Sequence, residues 1–152
     1  MHYNVLAPYQ AIVPLAIDYQ HGDSEPAHSH NCSQLIHTLC GVVEVHTALG
    51  TWMVPPGRGV WLPAHVEHSL RFIGGVKART LFVDPLARAD LPAQCQVVQI
   101  SPLLRELILV SLTLPSDYLP GGRDERIMEL LLDELRLLPT LRCQARRLGL
   151  QA

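Results

Sequence analysis

Four of the eight histidines in this sequence fall in two tight groups, and those groups carry its clearest chemistry. The first reads GDSEPAHSHNCSQLIHTLCG, with Gly22, His28 and His30, then Gln34 and Gly41. The second reads GRGVWLPAHVEHS, with Gly57, Pro63, His65 and His68. Positions 28 and 30 are two apart, so on a strand both imidazoles point the same way. His68 lies on a remote segment and reaches them only if the sheet closes or folds over. Three neutral imidazoles converging in a concave site can hold Zn²⁺, Fe²⁺ or Ni²⁺ and leave positions open to water or a ligand. The alternative is three histidines satisfied by hydrogen bonds inside a metal-free barrel.

The remaining reactive side chains have weaker claims. Cys32 shares strand parity with His30, which makes it either a soft substitute ligand or a buried apolar cysteine. His65 is expected to hydrogen-bond within its loop, and His37 and His46 to be surface or ladder residues. Glu25, Glu44 and Glu67 have no clear role as a base. Tyr19, Trp52, Trp61 and Phe72 are expected to line an apolar ligand pocket, although large aromatics equally well fill a small core.

The elements that must position these residues are short and extended. Segments 11–19, 34–39, 42–48, 51–55, 59–63, 68–73 and 78–84 are rich in Val, Ile, Thr, Trp and Phe and are punctuated by Gly and Pro. VEVHTALGTWMV predicts a hairpin with Leu49-Gly50 at its tip. Such regular short strands imply a sandwich or barrel rather than alternating βαβ units.

After about residue 100 the period changes to that of a helix. Ser101-Pro102 predicts a helix start, followed by Leu103, Leu104, Leu107, Ile108 and Ser111 at helical spacing. A break at 115–122 precedes a second helix over 123–138, stopped by Pro139. Both apolar faces are wider than one contact requires. Either both helices simply cover the barrel, or one face meets a second subunit; the second is favoured, with Leu104, Leu107, Ile108, Ile127, Leu131 and Leu135 expected at a homodimer contact. The chain accordingly divides into a barrel over 1–100 and a helical dimerisation and linker segment over 101–152.

Composition narrows the class. The 152 residues are 48% hydrophobic and only 17% charged, which excludes general disorder. A net charge of −2 gives no electrostatic footprint for nucleic acid. Arg136, Arg142, Arg146 and Arg147 are best explained as a solvated helix face. The four cysteines, Cys32, Cys40, Cys95 and Cys143, contain no Cys-x-x-Cys pair. The opening MHYNVLAPYQ lacks a signal-peptide pattern, and no apolar run is long enough for a membrane span. A cytoplasmic protein with reduced thiols is expected.

The two histidine groups resemble the two cupin motifs. The first keeps every spacing of Gly-x5-His-x-His-x3-Glu-x6-Gly, with Gln34 at the Glu position. The second matches at Gly57, Pro63 and His68, while His65 stands at a Gly position and Phe72 at an Asn position. The resemblance implies a mainly β fold, a cupin (RmlC-like) jelly-roll barrel, here followed by two α-helices. It also implies that His28, His30, Gln34 and His68 are the metal-site positions. Gln34 offers a neutral carbonyl oxygen, which weakens affinity for a hard cation without removing the site.

GTWMVPPGRGVWLPAHVEHSLRFIGGVKARTLFVDP further resembles the sensor domain of AraC-type transcriptional regulators, over about residues 10–140. That implies a domain that binds a small-molecule effector or metal ion and dimerises. DNA would be reached only through a C-terminal helix-turn-helix region that this sequence does not contain. The chain is expected to be either a piece of a longer regulator or a natural sensor-only protein. The competing readings are a small metal-dependent cupin enzyme, a dioxygenase or isomerase, and a structural dimerisation domain with a vestigial pocket. The missing carboxylate at position 34 counts against the enzyme.

Overall fold

The computed structural model of the chain describes residues 2–3 and 10–139. One five-stranded sheet runs, in spatial order, β1 (His2–Tyr3), β3 (Ser24–His30), β8 (His68–Ile73), β5 (Val42–Thr47) and β6 (Gly50–Val54). The other runs β10 (Gln96–Gln99), β7 (Arg58–Leu62), β4 (Ser33–Thr38), β9 (Val76–Val83) and β2 (Ile12–Tyr19). All pairings are antiparallel except β1 with β3. Successive strands pass back and forth between the sheets, so strands remote in sequence become neighbours. This is the jelly-roll barrel.

The interior between the sheets is apolar. Ile36, Val43, Val45, Trp52, Val54, Val60, Leu62, Leu70, Phe72, Val76, Ala78 and Val97 form one buried cluster there. A second cluster lies on the outer face of the β4-containing sheet. Leu35, Trp61, Leu81, Val83 and Val98 meet side chains of α1 (Pro102–Ser111) and α2 (Arg123–Arg136). Both faces of β4 are therefore dry, and every residue of the strand is buried.

Local signals account for the helix ends. The Ser101 hydroxyl accepts the Leu104 N–H at 3.0 Å, and Pro102 occupies the first turn. Asp124 and Glu125 at the start of α2 and Arg136 at its end complement the helix dipole. Arg88 ties the segment after β9 to α2 through Asp133 at 2.7 Å and Glu129 at 2.8 Å.

Three expectations need correction. The hairpin tip is Ala48-Leu49, because Thr47 pairs with Gly50. The second helix ends at Arg136, two residues before the predicted 138. Most consequentially, Leu104, Leu107, Ile108, Leu131 and Leu135 do not face outward to a partner. They are buried against the chain's own sheet, and Ile127 packs beside them. The outer face of a sheet buried on both sides needs an apolar cover, and these helices supply it. Arg142, Cys143, Arg146 and Arg147 lie outside the described residues. Among the described residues no helix is long and apolar enough to cross a membrane.

The turn from β4 to β5 depends on Gly41. It has φ +77°, and a Cβ there would meet the Gly75 carbonyl oxygen at 2.5 Å. Gly22 has φ +90° but open space around it. Gly41→Ala is expected to cost about 2 kcal/mol or more, and Gly22→Ala about 1 kcal/mol from backbone strain alone. Urea denaturation of both variants checks this; equal losses would contradict the clash.

Candidate metal centre

His28 and His30 project from the end of β3 and His68 from the start of β8. The β3–β8 pairing sets His28 opposite His68. All three rings are buried, with exposures of 5%, 7% and 2%. Their centroids stand 4.7 Å apart for His28–His30, 4.5 Å for His28–His68 and 5.3 Å for His30–His68. One nitrogen from each lies within 4.8 Å of the others. Among the described residues these three histidines form the one group of His, Cys, Asp or Glu side chains suited to hold an ion. The expected convergence is what the fold produces.

Hydrogen bonding fixes which nitrogens face inward. His28 Nδ1 donates to the Pro26 carbonyl at 2.7 Å, and His68 Nδ1 donates to the Val66 carbonyl at 2.9 Å. A carbonyl only accepts, so both Nδ1 atoms carry a proton and the Nε2 atoms are the ones left free of the backbone. His68 Nε2 is buried without a hydrogen-bond partner in the structure. Burial also lowers the His68 pKa below the usual imidazole value, which keeps the ring neutral. Rings oriented through Nδ1–H to carbonyl oxygens are the arrangement metal-ligating histidines adopt. The residues present fit a divalent ion.

The second motif's loop is fastened to this centre. His65 N–H donates to the His30 carbonyl at 2.9 Å. His65 itself has φ +69°, the sole positive φ outside glycine among the described residues. That left-handed backbone explains why the cupin motif favours Gly at this position. The His65 side chain is exposed.

Beside the histidines lies a cavity of about 40 Å³, lined by Tyr19, Glu25, His30, Gln34, Phe72 and Thr80 among others. Gln34 projects into it from β4 with its Oε1 buried and without a hydrogen-bond partner. Tyr19 and Phe72 line it, stacked 3.6 Å apart with an interplanar angle of 8°. The other two aromatics do not. Trp52 is packed in the apolar cluster between the sheets. Trp61 is on the outer face beneath the helices, where its Nε1–H donates to the Pro92 carbonyl at 2.8 Å. Odd and even positions of β7 are both buried, so strand parity did not reveal which face looks into the barrel.

Cys32 is buried after β3 but stands outside the histidine group. Burial pushes its thiol up to about 12, so it behaves as an apolar filler. His46 is a ladder residue at the surface, paired with Glu44 at 2.7 Å and Thr51 at 2.9 Å. His37 is not at the surface. It is 1% exposed on the outward side of β4, donating from Nδ1 to the Arg58 carbonyl at 3.0 Å. Glu25, which has no clear role in the sequence, reaches the cavity. Its one sequence signal was Pro26 beside it, a residue that regular inner strands exclude.

A closed double-sheet barrel with inward imidazoles beside a small cavity is a cupin. More narrowly, the chain belongs to the AraC-like ligand binding domain family, matched over residues 12–147. It is 35% identical over 116 residues to the HTH-type transcriptional regulator NimR of Escherichia coli (strain K12). That match takes in 76% of this chain and 42% of the relative, so the chain spans less than half of that protein's length. Among solved structures it is similar to the conserved protein SPY1581 of Streptococcus pyogenes, with 21% identity and TM-score 0.48 over 53% of this chain and 70% of that one. It is also similar to a RmlC-like cupin from Shewanella frigidimarina NCIMB 400, with 19% identity and TM-score 0.47 over 52% and 71% of the two chains.

Burial lowers the pKa of both His37 and His68, with Arg105 adding to the effect at His37. The unfolded chain then binds protons below about pH 6.5 that the native rings refuse. Stability is accordingly complete above that pH and falls as pH drops, by at most about 1.4 kcal/mol per pH unit for each ring. His37→Asn keeps a donor for the Arg58 carbonyl and is expected to flatten the fall between about pH 7 and 5. Urea midpoints across that range test this; an unchanged slope would show that His37 titrates normally.

Proposed function

We propose that this chain is the sensing and dimerisation module of an AraC-type transcriptional regulator, with a divalent ion held by His28, His30 and His68. The observation that carries this is the convergence of three buried imidazoles, two of them oriented by carbonyl groups, beside a cavity that also receives Gln34. Bound there, Zn²⁺, Fe²⁺ or Ni²⁺ would act as a Lewis acid toward an oxygen- or nitrogen-bearing small molecule. The chain's own residues shape that encounter. Tyr19 and Phe72 give the effector a flat aromatic wall, and Gln34 and Thr80 supply polar contacts. The cavity as it stands is the size of a few water molecules, so an effector has to widen it.

This requirement suggests how binding would be read out. β4 presents Gln34 to the cavity and Leu35 to the cluster beneath α1 and α2. A strand packed on both sides cannot move toward one without disturbing the other. An effector that favours one β4 position thereby favours one placement of the helices. Residues 1–100 would sense and residues 101–152 would relay and associate. The dimer contact would fall on the helices' outward leucines, of which Leu103, Leu130 and Leu137 are exposed. DNA would be contacted through sequence beyond this chain, in a cytoplasmic protein. A regulator is favoured over an enzyme because of the family and because no acid stands at position 34.

Elemental analysis of the purified protein is expected to find about one divalent ion per chain, falling to a small fraction in His28→Ala and His68→Ala. Unchanged metal content in both variants would exclude the site. Sedimentation equilibrium at micromolar concentration is expected to show a dimer that Leu130→Glu or Leu137→Glu weakens. A strict monomer would exclude the dimerisation role.

A further inference from the structure

β3 carries one more residue than its partner strand between two paired positions. Glu25 lies opposite Leu70 and His28 opposite His68, so three steps on β3 match two on β8. On a regular strand, positions three apart face opposite sides of the sheet. The bulge cancels that alternation and turns Glu25 and His28 to the same side. Pro26 sits within the irregularity, where its missing N–H leaves no ladder bond unmade. Its carbonyl is the one that accepts His28 Nδ1–H.

A carboxylate thus enters the cavity at a position where the motif has none. Glu25 Oε2 accepts the Tyr19 phenol at 2.6 Å, a short charge-assisted bond that fixes the group's orientation. Tyr19 is itself held by its stack on Phe72. The other oxygen, Oε1, lies 3.7 Å from His28 Nε2. That is too long for a hydrogen bond. It is near the spacing of two ligands of one ion, since atoms each about 2.1 Å from a shared metal at a tetrahedral angle stand about 3.4 Å apart. Glu25 lies outside the 4.8 Å group formed by the three histidines, so its carboxylate has to turn toward the other two rings to share their ion.

We propose that Glu25 is the anionic fourth ligand of the His28–His30–His68 centre and that Tyr19 is its positioning residue. This rests on the metal reading above and adds to it. The carboxylate that the motif supplies from position 34 comes here from position 25, on a different strand. Gln34 is then released from ligation and faces the effector. The ion's residual charge is halved, which strengthens binding of hard divalent ions relative to a three-histidine centre.

Calorimetric titration of Zn²⁺ and of Co²⁺ into the metal-stripped full chain tests the assignment. Glu25→Gln is expected to weaken binding by about a hundredfold or more, and Tyr19→Phe by about tenfold, at the low end of the ten- to hundredfold losses that outer partners of metal ligands carry. Glu67→Gln removes an exposed charge next to His68 in sequence and is expected to change nothing. Adding Gln34→Glu to Glu25→Gln is expected to restore affinity, which also shows that the variant folds. The Co²⁺ absorption bands are expected to shift in Glu25→Gln, because one oxygen donor is exchanged. If Glu25→Gln binds like wild type while His28→Ala abolishes binding, Glu25 is no ligand and the three-histidine centre stands. Equal losses in Glu25→Gln and Glu67→Gln would reduce the effect to net charge and overturn the assignment. A wild-type chain that takes up neither ion overturns the centre and the fourth ligand together.

Discussion

β4 has no side that faces water, and the rest of the molecule is arranged around that condition. Its inward residues, Gln34 and Ile36, belong to the barrel interior, while Leu35 and His37 belong to the outer layer. A strand buried on one face needs only a partner sheet. Burial on both faces requires a second apolar layer, and the leucine-rich helices exist in this chain to provide it. Their apolar excess follows from that duty. The same condition places a polar glutamine and a histidine in dry surroundings, where each unpaired atom is costly and therefore informative.

The centre is likewise organised from its backbone outward. Two carbonyl groups, from Pro26 and Val66, select the tautomer of the rings two residues further on. For His28 and His68, the ring and the carbonyl that orients it thus come from the same short segment. The local sequence prepares each ring, and the sheet pairing only has to bring the prepared rings together. That division of labour makes a site assembled from distant segments tolerant of change elsewhere in the barrel.

Much of this was legible before any coordinates. Period-two geometry puts His28 and His30 on one side of a strand, and the resemblance of the second histidine group to a cupin motif marks His68 as their partner. Ser101-Pro102 marked its helix start because capping chemistry is local. Trp61 was misplaced, and His37 is a ladder residue whose burial the sequence did not reveal, for one shared reason. A pleat shows which residues lie on the same side, and it is silent on which side is the interior when both are dry. The helical leucines were misassigned for the same cause, because their partner is a sheet face that sequence pattern treats as solvated. Glu25 had no evident role in the sequence, because the bulge that turns it to the side of His28 leaves no mark in a residue pattern other than Pro26.

The irregularity in β3 has an evolutionary reach beyond its local geometry. Whether a side chain upstream of the histidines belongs to the interior or the exterior depends on the number of residues between it and His28, as much as on its type. Loss or gain of a single codon in that stretch exchanges the inner and outer sets of residues wholesale while every ligand-bearing position downstream stays in register. A barrel of this kind can therefore alter the acidity of its interior by a change in length, leaving its recognisable histidine pattern untouched.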